Sequence, residues 1–214
     1  MRLRFHEKTF PFHFKRLLDF SVVREMFVAL PYRRVASLDH VATLLDLGGN
    51  IGASVVYFKL MHPEAKVWVY EPDPECFEML RKNIEPFGED VYALQKAVSS
   101  ISGRRTFYKN AEHWGNSFFT RAKNEHAIEV DCVSLDEAIR NTGADIDVLK
   151  FDIEGAEYEV FKDTKELARV RQMIGEIHPD LVGKTFEDFV SLIPGFNLAL
   201  HERQGARSLA FFSR

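Results

Sequence analysis

The chain is short of cysteine, of long apolar runs and of any large excess of charge, and each shortage narrows what it can be. Only Cys76 and Cys132 occur among 214 residues. Two cysteines make no disulfide framework, and neither has the neighbour spacing of a thiolate metal site. Both read as buried apolar fillers, one in an expected helix and one in an expected strand. No apolar run approaches the length of a membrane span, and the N-terminus lacks the continuous apolar core of a secretion signal. Cytoplasm is therefore the expected location. A net charge of −4 removes nucleic acid as the default partner. Histidines at positions 6, 13, 40, 62, 113, 126 and 201 follow no ligand pattern, and no metal is assigned.

What remains is the composition of a soluble α/β protein, 46% hydrophobic and 28% charged, long enough for one domain with a usable core. Residues 1–34 stand apart. They hold eight Lys or Arg against three acids, and six phenylalanines. Phe14, Leu17, Leu18, Val22 and Phe27 approximate a helical stripe that Pro31 should end. The plain expectation is a helix capping the rest of the protein. The sharper ones are a substrate lid, a dimer contact or a membrane-surface contact.

From residue 41 onward strand and helix patterns alternate. Strands are expected over 41–47, 66–70, 91–97, 146–153 and 172–177, and helices over 53–61, 74–85, 134–140, 156–162 and 185–192. Asp73 before Pro74, Ser134 with Glu137, and Thr185 with Asp188 supply helix-start chemistry. Short strands over 105–108, 117–120 and 127–133 predict a β-rich insertion before the fourth parallel strand. Strands over 196–201 and 208–212 flank Gln204-Gly205 as a closing hairpin. The pattern predicts a doubly wound, mostly parallel α/β sheet.

Residues 44–52 read Leu-Leu-Asp-Leu-Gly-Gly-Asn-Ile-Gly, a strand delivering Asp46 into a turn of Gly48, Gly49, Asn50 and Gly52 ahead of a helix. Glycines allow tight backbone angles, and the helix start offers free N–H groups. Glu71 closes the next strand, 19 positions after Gly52, where a carboxylate can accept hydrogen bonds from a ribose diol. The pair marks a nucleoside-bearing cofactor. The dinucleotide fingerprint G-x-G-x-x-G does not fit, because Asn50 and Ile51 stand where glycine is required.

In a parallel sheet ligands bind beyond the carboxyl ends of the strands. Lys96, Ala97 and Val98 stand at the third strand's end, near where an adenine could lie. Residues 150–157 read Lys-Phe-Asp-Ile-Glu-Gly-Ala-Glu, unusually acidic for a turn on a core strand. Asp152, Glu154 and Glu157 could do base work, orient a hydroxyl or hold a cation. Alternation puts Glu176 and His178 on one face, as a possible base and its orienter.

Together these runs resemble the FkbM family of methyltransferases. The resemblance rests on residues 45–52, Glu71-Pro72-Asp73-Pro74, Lys96-Ala97-Val98-Ser99, Ser134-Leu135-Asp136, residues 149–157 and Glu176-Ile177-His178, in order across residues 41–180. It implies a class I methyltransferase fold with a seven-stranded sheet, S-adenosylmethionine as donor, and O-methylation of a hydroxyl on a sugar or natural product. It divides the chain into a basic, Phe-rich, helical extension, 1–36, and a methyltransferase domain, 37–214. On this reading Asp46, Gly48, Gly49, Asn50, Gly52, Glu71, Ala97 and Val98 hold the donor, and Asp152, Glu154 or His178 faces the acceptor hydroxyl. The expected partner is a small-molecule or glycan acceptor, with a homo-oligomer open. Two rivals stay: a nucleotide-dependent oxidoreductase on a similar sheet, and a module that binds the donor without turnover.

Overall fold

A computed structural model of the chain describes residues 1–5, 7–33, 38–109, 117–119 and 126–214. Its main sheet has seven strands: β3 (Thr43–Leu47), β4 (Lys66–Tyr70), β5 (Val91–Leu94), β9 (Ile146–Phe151), β10 (Val170–Ile177), β11 (Asn197–Gln204) and β12 (Arg207–Ser213). Their order is β11-β12-β10-β9-β3-β4-β5, and β12 runs antiparallel to both its neighbours while the other pairs are parallel. The chain winds outward from β3 through β4 to β5, then returns to place β9 on the other side of β3. That reversal opens a crevice beyond the ends of β3 and β9.

The central strands are apolar on both faces because helices cover both faces. Every residue of β3 is buried. Leu44 points to one layer and Leu45 and Leu47 to the other, as strand alternation requires. The first layer holds α2 (Ala53–Met61), with Val55, Val56 and Phe58 on Leu44, Val67 and Val69. The second packs Phe151, Phe161, Phe189 and Phe212 edge to face or tilted, at centroid distances of 5.0–6.0 Å.

Local start signals behave largely as read. Asp73 caps α3 (Pro74–Ile84), accepting from the Glu75 N–H at 2.8 Å with Pro74 in the first turn. Thr185 and Asp188 form a reciprocal capping box on α6 (Phe186–Ser191). Ser134 accepts from the Glu137 N–H at the start of α4 (Leu135–Asn141), but the return bond goes elsewhere: Ser102 Oγ accepts the Ser134 N–H and donates to Glu137.

The third expected strand is two strands. β5 stops at Leu94, whose carbonyl accepts both the Glu71 and Lys96 N–H groups. β6 (Ala97–Ser99) then leaves the main sheet and joins β7 (Gly103–Lys109) and β8 (His126–Ser134) in a separate three-stranded sheet, order β6-β8-β7. Ser117 makes only a bridge to Tyr108, and Thr120 of that expected strand lies outside the described residues. The N-terminal segment is not helical throughout. β1 (Arg2–Phe5) and β2 (Lys8–Pro11) form an antiparallel hairpin, α1 (Leu17–Arg24) follows, and a π-helical turn spans Glu25–Ala29. Phe10, Phe12, Val23, Met26, Phe27 and Tyr32 share one apolar cluster with α2, so this segment covers the first layer. Residues 34–36 of the extension lie outside the described residues.

Candidate active site

The turn after β3 is built by packing as much as by conformational freedom. Gly48 has φ +82°, and a Cβ there would sit 2.0 Å from the Asp152 carbonyl oxygen. A Cβ on Gly49 would meet Val69 Cγ2 at 2.3 Å. The two glycines therefore let the ends of β3, β4 and β9 close together, a different reason from ligand approach. Asn50 takes the left-handed region at φ +47°, which Asn tolerates better than most residues.

Beneath the turn lies an ion pair that the motif pattern did not single out. Lys150 Nζ stands 2.8 Å from Asp46 Oδ1 and donates to the Gly48 carbonyl at 2.6 Å. Ser54 Oγ donates to the other Asp46 oxygen at 2.5 Å. Burial alone would lower the Lys150 pKa, but the Asp46 and Asp152 charges reverse that and hold the ammonium charged. Asp46 is thus a support of the turn, fully buried, and not a lining residue. The signal for Lys150 was present: a lysine between Leu149 and Phe151 on an apolar strand needs a buried partner. Asn83, also fully buried, donates to the Ile51 carbonyl at 2.8 Å and pairs with the His13 backbone, tying the N-terminal segment to the same turn.

Glu71 stands at the tip of β4. Its Oε2 accepts the Asn50 N–H and its Oε1 the Asp73 N–H, each at 2.8 Å. Burial raises its pKa from 4.5 to about 7, against the pull of those two bonds. Glu71 lines a cleft of about 620 Å³, open mouth included, with Gly48, Asn50, Ala97, Val98, Phe107 and Asp152 on its walls. Gly49 and Gly52 shape the turn behind it.

A second cleft, about 680 Å³ on the same measure, lies on the other side of the turn. Glu25, Met26 and Tyr32 of the N-terminal segment wall it, with Glu176 and Arg207 from the sheet. Gly48, Asn50, Asp152 and Glu154 line both clefts. None of Glu25, Tyr32 and Arg207 was singled out from the sequence, since their meeting depends on the hairpin β11–β12 folding beside the N-terminal turn.

Asp152 follows β9, with its N–H held by the Leu47 carbonyl at 3.0 Å. Glu154 at φ +52° and Gly155 at φ +97° then turn the chain sharply into α5 (Glu157–Phe161). His178 closes β10 and is wholly buried, lining neither cleft. Its Nδ1 lies 2.9 Å from Glu157 Oε1, and its Nε2 faces Glu154 at 3.6 Å, Glu176 at 3.8 Å and Asp152 at 3.9 Å. Burial would lower the His178 pKa, but the Glu157 hydrogen bond and the surrounding carboxylates raise it to about 9. Burial, with the Asp152 and Glu25 charges, raises the Glu176 carboxyl. The structure thus brings Asp152, Glu154 and His178 together, with Glu176 on the same face as expected, and adds Glu157 as the partner behind the imidazole.

A glycine turn at the switch point, an acid on the next strand and this strand order define a class I methyltransferase-like Rossmann fold. Fibrillarin from Aeropyrum pernix, solved in complex with natively bound S-adenosyl-L-methionine, shares that fold with a TM-score of 0.53 at 11% identity, over 86% of this chain and 74% of that one. The Methyltransferase FkbM domain matches residues 46–205, and the chain belongs to that family. The 2-O-methyltransferase NoeI of Sinorhizobium fredii is 28% identical over 140 residues, 58% of this chain and 57% of its own length. The hexuronic acid methyltransferase AglP of Haloferax volcanii is 30% identical over 137 residues, 63% of this chain and 55% of its own length. The chain thus spans little more than half the length of these two relatives. Among the described residues no helix is long and apolar enough to cross a membrane.

Proposed function

We propose that the chain is an S-adenosylmethionine-dependent O-methyltransferase acting on a hydroxyl of a sugar, lipid or natural-product acceptor. The observation that carries this reading is the meeting of the two clefts at Gly48, Asn50, Asp152 and Glu154. A donor in the first cleft would present its reactive end at that border, to an acceptor lying in the second. The first cleft fits the donor's parts. Each Glu71 oxygen accepts one N–H and keeps a lone pair for a ribose hydroxyl. Tyr70, Ala97, Val98 and Phe107 offer an apolar wall for an adenine. Gly48 and Asn50 would border the methionine portion. The names of NoeI and AglP, a 2-O-methyltransferase and a hexuronic acid methyltransferase, favour a sugar hydroxyl.

When bound, the donor supplies a methyl group on a positively charged sulfur. The chain's residues then have two tasks: to hold the acceptor oxygen in line, and to take or share its proton. We assign the second to Asp152, with Glu154 beside it, because both border the clefts. His178, buried and bonded to Glu157, acts as a positioning residue behind them. Residues 37–214 form the methyltransferase unit on this reading, and the 1–36 extension walls the acceptor side.

The test is S-adenosylhomocysteine release across a panel of hydroxylated sugars, lipids and polyketides. Turnover with one acceptor supports the assignment. Binding of S-adenosylhomocysteine with no turnover by any acceptor favours a binding module, and nicotinamide binding without it favours an oxidoreductase.

A further inference from the structure

We propose that the corner formed by Asp152, Glu154 and His178 is a site for one divalent cation of the manganese and magnesium class. One ligand atom from each of the three lies within 4.8 Å of the other two, a set that a single ion can gather with small side-chain movements. A group of carboxylates alone would signify little. The imidazole is what points to a ligand. His178 is completely buried, and among the described residues its Nε2 has no hydrogen-bond partner. Asp152 Oδ1, facing it, has none either among those residues.

The other imidazole nitrogen fixes the chemistry. Nδ1 lies 2.9 Å from Glu157 Oε1, itself fully buried. The Nδ1–H therefore belongs to Glu157, the arrangement in which a carboxylate behind the ring orients an imidazole toward a metal. Nε2 faces Glu154, Glu176 and Asp152 at 3.6, 3.8 and 3.9 Å, and an ion taken up there would replace the proton on that nitrogen. Carboxylates converging on one imidazole nitrogen favour a positive charge on it, a proton or a cation in the proton's place. Among the described residues, Lys150 pairs with Asp46, and Arg207 stands 3.7 Å from Glu176. Asp152 and Glu154 retain 32% and 19% of their side-chain exposure, so an ion can enter from the clefts.

Two carboxylate oxygens with one imidazole make a mixed, largely hard ligand set without thiolate, which suits Mn²⁺ better than a soft ion. Three protein ligands leave coordination positions for water or for an acceptor oxygen. Only that last use rests on the methyltransferase reading; the site itself does not.

The experiment titrates the full chain, stripped with EDTA, with MnCl₂ alone, following free Mn²⁺ by electron paramagnetic resonance and binding by calorimetry. Saturable uptake of one ion per chain is expected. Asp152→Asn and Glu154→Gln should each weaken it by at least about tenfold, the scale lost when a metal site's support is removed. Both sit at the cleft border and should fold, whereas His178 is wholly buried and its replacement disturbs the core; unchanged circular dichroism checks this. Absence of saturable Mn²⁺ binding by the parent overturns the proposal and leaves a proton on Nε2 as the balancing charge. Equal affinity in parent and variants overturns it too, as does binding of Zn²⁺ but not Mn²⁺. Methyl transfer by a parent that shows no saturable Mn²⁺ binding would sink the cation site and leave the enzyme reading standing. Mn²⁺ binding without any turnover would do the reverse.

Discussion

Glu71 carries the heaviest assignment of any single side chain, because its two oxygens set both the Asn50 backbone and the proposed ribose contacts. Burial places its titration near 7, well above the ordinary 4.5. The folded protein therefore holds a proton there that the unfolded chain releases. That term favours the fold below pH 4.5 and is lost as pH rises through about 7. Ligand binding runs the other way, because ribose hydroxyls donate best to the ionised carboxylate. Affinity for S-adenosylhomocysteine should rise between pH 6 and 8, a range chosen to bracket the titration near 7, and calorimetry on Glu71→Gln should show a flat profile. Glu71→Ala should weaken binding at pH 8 by about 1–3 kcal/mol, the scale of a lost hydrogen bond to a charged group. A parallel pH slope in the Gln variant would remove Glu71 from the site. Asp152→Asn should lower kcat by at least about tenfold while donor affinity holds, because a group acting on the acceptor proton contributes in the transition state. Parent-like turnover would end that assignment. Lys150 offers a stability test. Lys150→Met leaves Asp46 buried without its cation, which costs about 3–5 kcal/mol, and a fall in Tm of several degrees should follow.

At the scale of elements, what could be read depended on how local its cause was. Asp73 with Pro74 and Thr185 with Asp188 act within one helical turn, and both caps stand where the sequence put them. The apolar strands are set by burial on both faces, and 66–70 matches β4 to the residue. The N-terminal hairpin went unread although Arg2-Leu3-Arg4-Phe5 alternates strictly; four residues are too few to outweigh the helical stripe that follows, and no Asn-Gly or Asp-Gly pair separates the strands. The split of the third strand depends on Leu94 receiving two N–H groups, one from β4's end, which no local pattern records. The glycine turn was legible, but the reason for its first glycine was not, since Asp152 arrives from 104 positions away. A prediction belongs here. Gly48→Ala forces a Cβ to 2.0 Å from a backbone oxygen at φ +82°, so neither a rotamer change nor a flexible neighbour can relieve it. Overpacking of this kind costs about 1–3 kcal/mol. Because the strain separates β3 from β9, Gly48→Ala should lower Tm and donor affinity together. A variant with parent-like values of both would show that the strand ends part without penalty.

Across the whole molecule, the site is an agreement between distant parts of the chain. The first cleft is walled from the ends of β3 and β4 and from the three-stranded sheet, all within the stretch the motifs cover. The second cleft draws its far wall from both ends: Glu25 and Tyr32 near the start, Arg207 near the finish. Periodicity cannot report such a meeting, so Gly48, Asn50, Glu71, Ala97 and Val98 could be named together from the sequence, and Glu25, Tyr32 and Arg207 could not. His178 shows the same limit, its placement resting on Glu157, 21 positions earlier in the chain. The division into two clefts makes one prediction about the molecule as a unit. Substitutions on the far wall of the second cleft, Glu25→Gln or Arg207→Met, should change kcat/KM for the acceptor by about tenfold or more. They should leave S-adenosylhomocysteine affinity within about twofold, since removing a charged contact costs about 1.5–3 kcal/mol only where that contact is made. Val98→Trp, filling the first cleft, should do the opposite and weaken the donor while leaving the acceptor wall unchanged. Glu25 and Arg207 are the better probes than deletion of residues 1–34, because removing Phe12, Val23 and Phe27 would also uncover α2 and lower stability throughout. Should the Glu25 and Arg207 variants lose donor affinity and acceptor turnover in equal measure, the clefts would be one site, and the N-terminal wall would belong to the donor.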